Sequence, residues 1–287
     1  MSAPRLLVIQ HDRSDPVARL GQWLVGAGLR LDVRDAGSGD PIPRDLTGCD
    51  GLLVLGGGMG AGDDAIAPWL PEVRALLHAA VAAEVPTLGV CLGAQLLAVA
   101  NGGRVERNPG GPEFGAQLIA KRANTAGDVL FGPLPITPDV IQWHFDAITV
   151  LPPGAVALAA SPVCEHQAFR LGRLAWGLQF HIETTPEIVR AWAAEDAPAL
   201  AGYDVKAVLE RSDAAHADVA EVWQPFAEAF AAVVRDPGSV RVPRGVAVAT
   251  AEPITDPAAI RAALAAELTA SRGAVLPMPG SGPPRHD

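Results

Sequence analysis

Pro86-Thr87-Leu88-Gly89-Val90-Cys91-Leu92-Gly93-Ala94-Gln95 is the stretch that decides how this chain folds. Its first half, Pro86–Val90, is a short apolar run of the kind buried on both faces of a parallel sheet, and Ala94–Ala100 continues as a helical pattern. Between them one thiol stands flanked by Gly89 and Gly93. Small residues on both sides permit a tight strand-to-helix turn that projects the side chain between them, and the helix N-terminus that follows favours negative charge on the sulfur. This is the pattern of a nucleophile elbow. A lone cysteine is more often a small buried hydrophobe, and Cys49 and Cys164, which lack such a setting, read that way.

Outward from the elbow the chain alternates strands with helices. Arg5–Gln10, Leu29–Arg34 and Asp50–Leu55 read as strands, and Asp15–Gly28 and Pro68–Glu84 read as helices, the first with Ser14 or Asp15 as N-cap. Such alternation implies right-handed βαβ crossovers. From Arg104 to Phe180 the pattern changes to short strand-like runs between Gly and Pro turns: Gln117–Ala120, Val140–Trp143, Val156–Ala160, Glu165–Leu171 and Leu174–Phe180. Helical periodicity returns at Pro186–Glu195 and at about Ala217–Val234. The expected fold is therefore α/β: an open, mostly parallel flavodoxin-like sheet flanked by helices, with a smaller antiparallel β section in the second half. One domain over 1–237 is expected, followed by an Ala/Pro/Gly-rich tail over 238–287. In that tail Ile260, Leu264 and Leu268 mark one short helix.

Composition narrows the class of chemistry. The chain has 287 residues, 49% of them apolar and 19% charged, enough to bury a core and too apolar for disorder throughout. Three cysteines are too few for a disulfide framework, and no signal peptide is evident after Met1, so a cytoplasmic setting is expected. The net charge of −10 works against a nucleic-acid surface, and no membrane span is expected, because His78, Glu84 and Pro86 interrupt the most apolar stretch. A small-molecule substrate fits best, with no cofactor and no metal.

Two further segments complete a site. In Trp176-Gly177-Leu178-Gln179-Phe180-His181-Ile182-Glu183, His181 ends an apolar strand, and extended geometry would put His181 and Glu183 on one side. The carboxylate would then fix the imidazole tautomer while the other ring nitrogen faces Cys91. The third segment, Leu55-Gly56-Gly57-Gly58-Met59-Gly60-Ala61-Gly62, follows a strand and can turn backbone N–H groups inward. With the amide of Leu92, the Gly58 amide would form an oxyanion hole. A nucleotide loop is the weaker reading, because no Gly-Lys-Ser/Thr follows and Asp63-Asp64 would repel phosphate.

At these three segments the sequence resembles the class I, triad-type glutamine amidotransferases. Their G-x-C-x-G-x-Q elbow is met by Gly89, Cys91, Gly93 and Gln95, and their H-x-E by His181 and Glu183, in the family's order and over about residues 5–235. Trp143-His144-Phe145-Asp146 makes the likeness strongest to stand-alone GMP-synthase-like domains, with Phe145 where those usually have glycine. The resemblance implies hydrolysis of the glutamine side-chain amide to glutamate and ammonia through a γ-glutamyl thioester. Cys91, His181 and Glu183 would be the triad, and Gly57, Met59, Gln95, Trp143, His144, Phe145 and Asp146 would bind substrate. About fifty residues after Pro237 are too few for a synthetase domain, so a separate synthetase would take the ammonia. Alternatives are a γ-glutamyl hydrolase acting alone, a catalytically silent subunit of the same fold, and a dienelactone-hydrolase-like α/β-hydrolase. Chain order opposes the last, since there the acid precedes the histidine.

Overall fold

The computed structural model describes residues 3–241. Its elements run β1 (Arg5–Gln10), α1 (Ala18–Gly26), β2 (Arg30–Asp35), β3 (Gly51–Val54), α2 (Leu70–Ala82), β4 (Thr87–Val90), α3 (Leu92–Ala100), β5 (Arg104–Arg107), β6 (Glu113–Leu118) and β7 (Ala120–Lys121). There follow β8 (Asp139–His144), β9 (Asp146–Val150), β10 (Val156–Ala160), β11 (Ala168–Leu171), β12 (Ala175–Leu178), α4 (Pro186–Glu195) and α5 (Val205–Arg235). Eight strands form one sheet in the order β2-β1-β3-β4-β12-β11-β10-β7. The first five run parallel, and β11, β10 and β7 extend that edge antiparallel. Two small antiparallel pairs, β5 with β9 and β6 with β8, stand apart from it. The expected mostly parallel sheet with an antiparallel section is what forms.

β1 shows why the central strands lack polar alternation. Leu6 and Val8 point into a core with Leu20 and Leu24 of α1 and with Trp223, Phe226 and Phe230 of α5. Leu7 and Ile9 point the other way, into a core with Leu70, Val73 and Leu77 of α2 and Leu96 of α3. Both faces are covered, so every position from Leu6 to Ile9 is apolar.

Register then assembles the site. β4 lies between β3 and β12, with Gly89 opposite Val54 on one side and Val90 opposite Leu178 on the other. The carboxyl ends of three neighbouring parallel strands thus deliver the Gly-rich loop, the elbow and the His181 segment to one edge, where ligands of open α/β sheets collect.

Several expectations need correction. Neither Ser14 nor Asp15 caps α1, which starts at Ala18 after Val17 with no side-chain cap; Asp15 turns into the cleft instead. α5 begins twelve residues before Ala217. Its first half buries Val208, Ser212 and His216, a partly polar stripe satisfied by local hydrogen bonds, so apolar periodicity could not reveal it. β5 has no buried residue and β9 buries only Ala147 and Ile148, so neither carries a continuous apolar pattern. The helix expected around Ile260, Leu264 and Leu268, and nearly all of 238–287, lie outside the described residues. Among the described residues no helix is long and apolar enough to cross a membrane.

Candidate active site

Cys91 has φ 49° and ψ −108°, a conformation that a residue bearing a Cβ rarely adopts, and it stands directly before the first turn of α3. The flanking glycines have separate steric reasons. A Cβ on Gly93 would stand 2.0 Å from the Val54 carbonyl oxygen, and one on Gly89 would stand 2.6 Å from the Gly93 oxygen. The elbow therefore exists only because the backbones of β3, β4 and α3 approach without side chains between them.

The Cys91 N–H donates to the Leu178 carbonyl at 2.7 Å, which ties the elbow to the end of β12. Three residues on, His181 forms a bridge to Ile141 of β8 and is 1% exposed. Its Nδ1 lies 2.6 Å from Glu183 Oε1, and the other carboxylate oxygen accepts from the Ile182 N–H at 2.9 Å. The Trp192 ring of α4 packs on the imidazole at a centroid distance of 4.6 Å. His181 Nε2 is buried and has no partner of normal hydrogen-bond geometry among the described residues. Burial disfavours the charged ring, yet the Glu183 carboxylate and the Cys91 sulfur together outweigh it and raise the His181 pKa well above its ordinary value.

A cleft of about 350 Å³ opens over these groups, lined by Cys91, Leu92, His181 and the loop residues Gly57, Gly58 and Met59. The N–H groups of Gly58 and Leu92 make no hydrogen bond among the described residues. Trp143, His144, Phe145, Asp146 and Gln95 also line the cleft. Their side chains are used differently from one another. Gln95 Nε2 donates to the Asp146 carbonyl and to Gln179 Oε1, at 3.2 and 3.3 Å, and Gln179 Nε2 lies 3.8 Å from the Cys91 sulfur. Trp143 Nε1 donates to Asp196 at 2.8 Å. Phe145 packs edge-on to Phe114, with the Arg107 guanidinium 4.7 Å over its ring.

The His144 ring points into the fold. Nδ1 donates to the Asp146 carbonyl at 2.9 Å, and Nε2 meets Glu113 Oε2 at 3.0 Å. Ser161 and Gln167 also donate to Glu113. Glu113 does not line the cleft; it stands behind the cleft wall and holds it. Removing Glu113 leaves the Ser161 hydroxyl and His144 Nε2 without their buried partner and Gln167 Nε2 with the Ser161 oxygen alone, so Glu113→Ala is expected to cost about 3 kcal/mol, read as a lower midpoint in urea unfolding.

Trp192, Asp196 and Asp15 reach the cleft, and Gln179 reaches the Cys91 sulfur, without a sequence signal that marks them. His11 stands behind the Gly-rich loop, against Gly57, and is likewise unmarked in the sequence. Its Nδ1 accepts from Trp69 Nε1 at 3.0 Å, the ring is 1% exposed, and burial lowers its pKa to about 4. Between pH 6.5 and pH 4 the unfolded chain therefore takes up a proton that the native ring refuses, and stability falls with falling pH by about 3 kcal/mol from this group. Urea unfolding is expected to show the advantage of the wild type over His11→Gln shrinking by about that amount from pH 7 to pH 4.

An open α/β sheet with a thiol on a strained elbow, faced by a buried histidine–carboxylate pair, places the chain among α/β proteins built around a cysteine at the end of a central strand. More particularly, the chain belongs to the glutamine amidotransferase class-I family, whose sequence model matches residues 20–191. It is 36% identical to a GMP synthase (glutamine-hydrolyzing) of Parafrankia sp. over 152 residues, covering 53% of this chain and 26% of that protein. It is 28% identical to gamma-glutamyl peptidase 3 of Arabidopsis thaliana over 155 residues, covering 52% of this chain and 60% of that one. The chain thus spans only about a quarter of the GMP synthase it matches. A glutamine amidotransferase of Thermotoga maritima superposes with a TM-score of 0.71 at 27% identity, covering 80% of this chain and 99% of that one.

Proposed function

We propose that the protein hydrolyses the side-chain amide of glutamine to glutamate and ammonia, with Cys91 as nucleophile, His181 as acid and base, and Glu183 as the group that orients the ring. The observation that carries this reading is the juxtaposition of Cys91, in its strained elbow, with a buried His181–Glu183 pair at 2.6 Å on a shared cleft.

The chemistry follows from the geometry. The thiol proton passes to His181 Nε2, and the sulfur attacks the amide carbon. Charge developing on the carbonyl oxygen is met by the N–H groups of Gly58 and Leu92. His181 gives its proton to the departing nitrogen, ammonia leaves, and a γ-glutamyl thioester remains. Water, giving a proton to His181, attacks the thioester; glutamate departs and the thiol is restored. Through both steps Glu183 faces the positive charge of the ring.

A separate synthetase as ammonia acceptor is supported by the likeness to a part of GMP synthase. A hydrolase of γ-glutamyl compounds acting alone is supported by the likeness to a gamma-glutamyl peptidase. Ammonia release from L-glutamine, and amine release from a γ-glutamyl dipeptide, are to be measured with the purified chain. Thiol-dependent release from glutamine supports the first reading, release from the dipeptide alone moves the function to the second, and turnover of esters or lactones in place of both would overturn each.

A further inference from the structure

The Glu183 carboxylate is not alone beside the imidazole. Asp15, in the segment between β1 and α1, is 8% exposed and lines the same cleft. At Gly56 the place a Cβ would occupy lies 3.0 Å from Asp15 Oδ1 and 3.2 Å from His181 Cε1, so the carboxyl group and the ring edge crowd one point that only glycine leaves open. We propose that Asp15 is a positioning residue for the reaction proposed above, a second carboxylate set against the Cε1 edge of His181.

The segment is strapped in place from several sides. Trp192, whose ring packs on His181, donates through Nε1 to the Ser14 carbonyl at 3.0 Å. The Arg19 N–H donates to the Glu183 carbonyl at 3.0 Å, and Ala18, directly before Arg19, has φ 34°. Among the described residues the Asp15 carboxyl accepts one side-chain hydrogen bond, from the Ser14 hydroxyl at 3.2 Å. A carboxylate so buried, with Glu183 and Asp12 as further negative neighbours, needs a positive partner. Burial raises its pKa to about 6; His181 opposes that rise, and Glu183 and Asp12 add to it.

His181 supplies the partner when it carries a proton. Imidazolium charge is spread over Nδ1, Cε1 and Nε2. Glu183 meets the first atom, Asp15 stands at the second, and the third is left for the sulfur and the leaving group. Asp15 accepts no proton in the cycle; ionised, it stabilises the protonated ring in each step where His181 holds one.

The assertion rests on the hydrolytic reading, and its test separates the two. Asp15→Asn keeps the shape and removes the charge. The full chain labelled with ¹³Cε1-histidine is titrated by NMR, with the His181 signal assigned by its loss in His181→Gln. The expected result is a His181 midpoint lower by about one pH unit in Asp15→Asn, and kcat for glutamine lower on the order of tenfold with KM nearly unchanged. Asp15→Glu is expected to restore part of both, and the melting temperature of Asp15→Asn at pH 8 is expected not to fall, since a buried charge has been removed. An unchanged His181 titration, or a loss confined to KM, overturns the assignment. So does a fall in melting temperature with the titration unmoved. If Cys91→Ala releases as much ammonia as the wild type, the hydrolytic reading fails, while the NMR titration, which needs no turnover, still judges Asp15.

Discussion

Cys91→Ala is expected to reduce glutamine hydrolysis by roughly 10⁴-fold or more, because in the proposed reaction the Cys91 sulfur forms the covalent bond on which both steps run. The loss has to appear in kcat, since the groups lining the cleft remain. Folding is expected to be nearly unaffected: alanine is smaller than cysteine, so the space admits it, and the strained φ of 49° is carried by the wild type as well. Ammonia release, measured by coupled glutamate formation with matched circular dichroism spectra, checks both halves. His181→Ala is expected to fall into the same range without adding to the Cys91→Ala loss, because in the proposed reaction the two act as a unit. Activity of Cys91→Ala within tenfold of the wild type would remove the thioester mechanism.

Gly93→Ala is expected to be the most damaging single-methyl change in the described structure. Its Cβ would stand 2.0 Å from the Val54 oxygen and 2.6 Å from the Val54 carbon, and those atoms are backbone, which cannot rotate aside. β3 and α3 must move apart, and the Gly93 N–H bond to the Leu55 carbonyl at 3.1 Å is lost with them. A cost of about 3 kcal/mol or more follows, enough to leave much of the chain insoluble at expression. Gly62→Ala is the control, since a Cβ there meets nothing within 4 Å, and its effect is expected to stay within about 0.5 kcal/mol. Urea unfolding of both variants checks the contrast. Equal midpoints would mean that the elbow tolerates separation of its strands.

The elbow, the His181–Glu183 spacing and the Gly-rich loop were legible because each is a local pattern. A glycine on both sides of a thiol, an acid two residues from a histidine in an extended segment, and apolar runs without alternation state their meaning within ten residues. The WHFD segment was legible only in part. Trp143, Phe145 and Asp146 line the cleft, but nothing local to His144 shows that its ring turns inward to Glu113, a partner on another strand. The start of α5 escaped for the opposite reason: the stripe Val208, Ser212 and His216 is buried but partly polar, and a hydrophobic period does not register polar residues satisfied inside a fold.

From the order of residues alone came the open α/β class, the covering of both sheet faces and the strand-to-helix elbow at Cys91, because periodicity and turn chemistry are set over a few bonds. Three-dimensional packing alone decided which distant groups meet. The parallel register of β3, β4 and β12 brings three loops to one edge, and Asp15, which the linear pattern assigned to a helix cap, comes to lie beside His181. The reason is physical: a buried charge finds its partner through space, across strand pairings of long sequence separation, and no local preference encodes that distance.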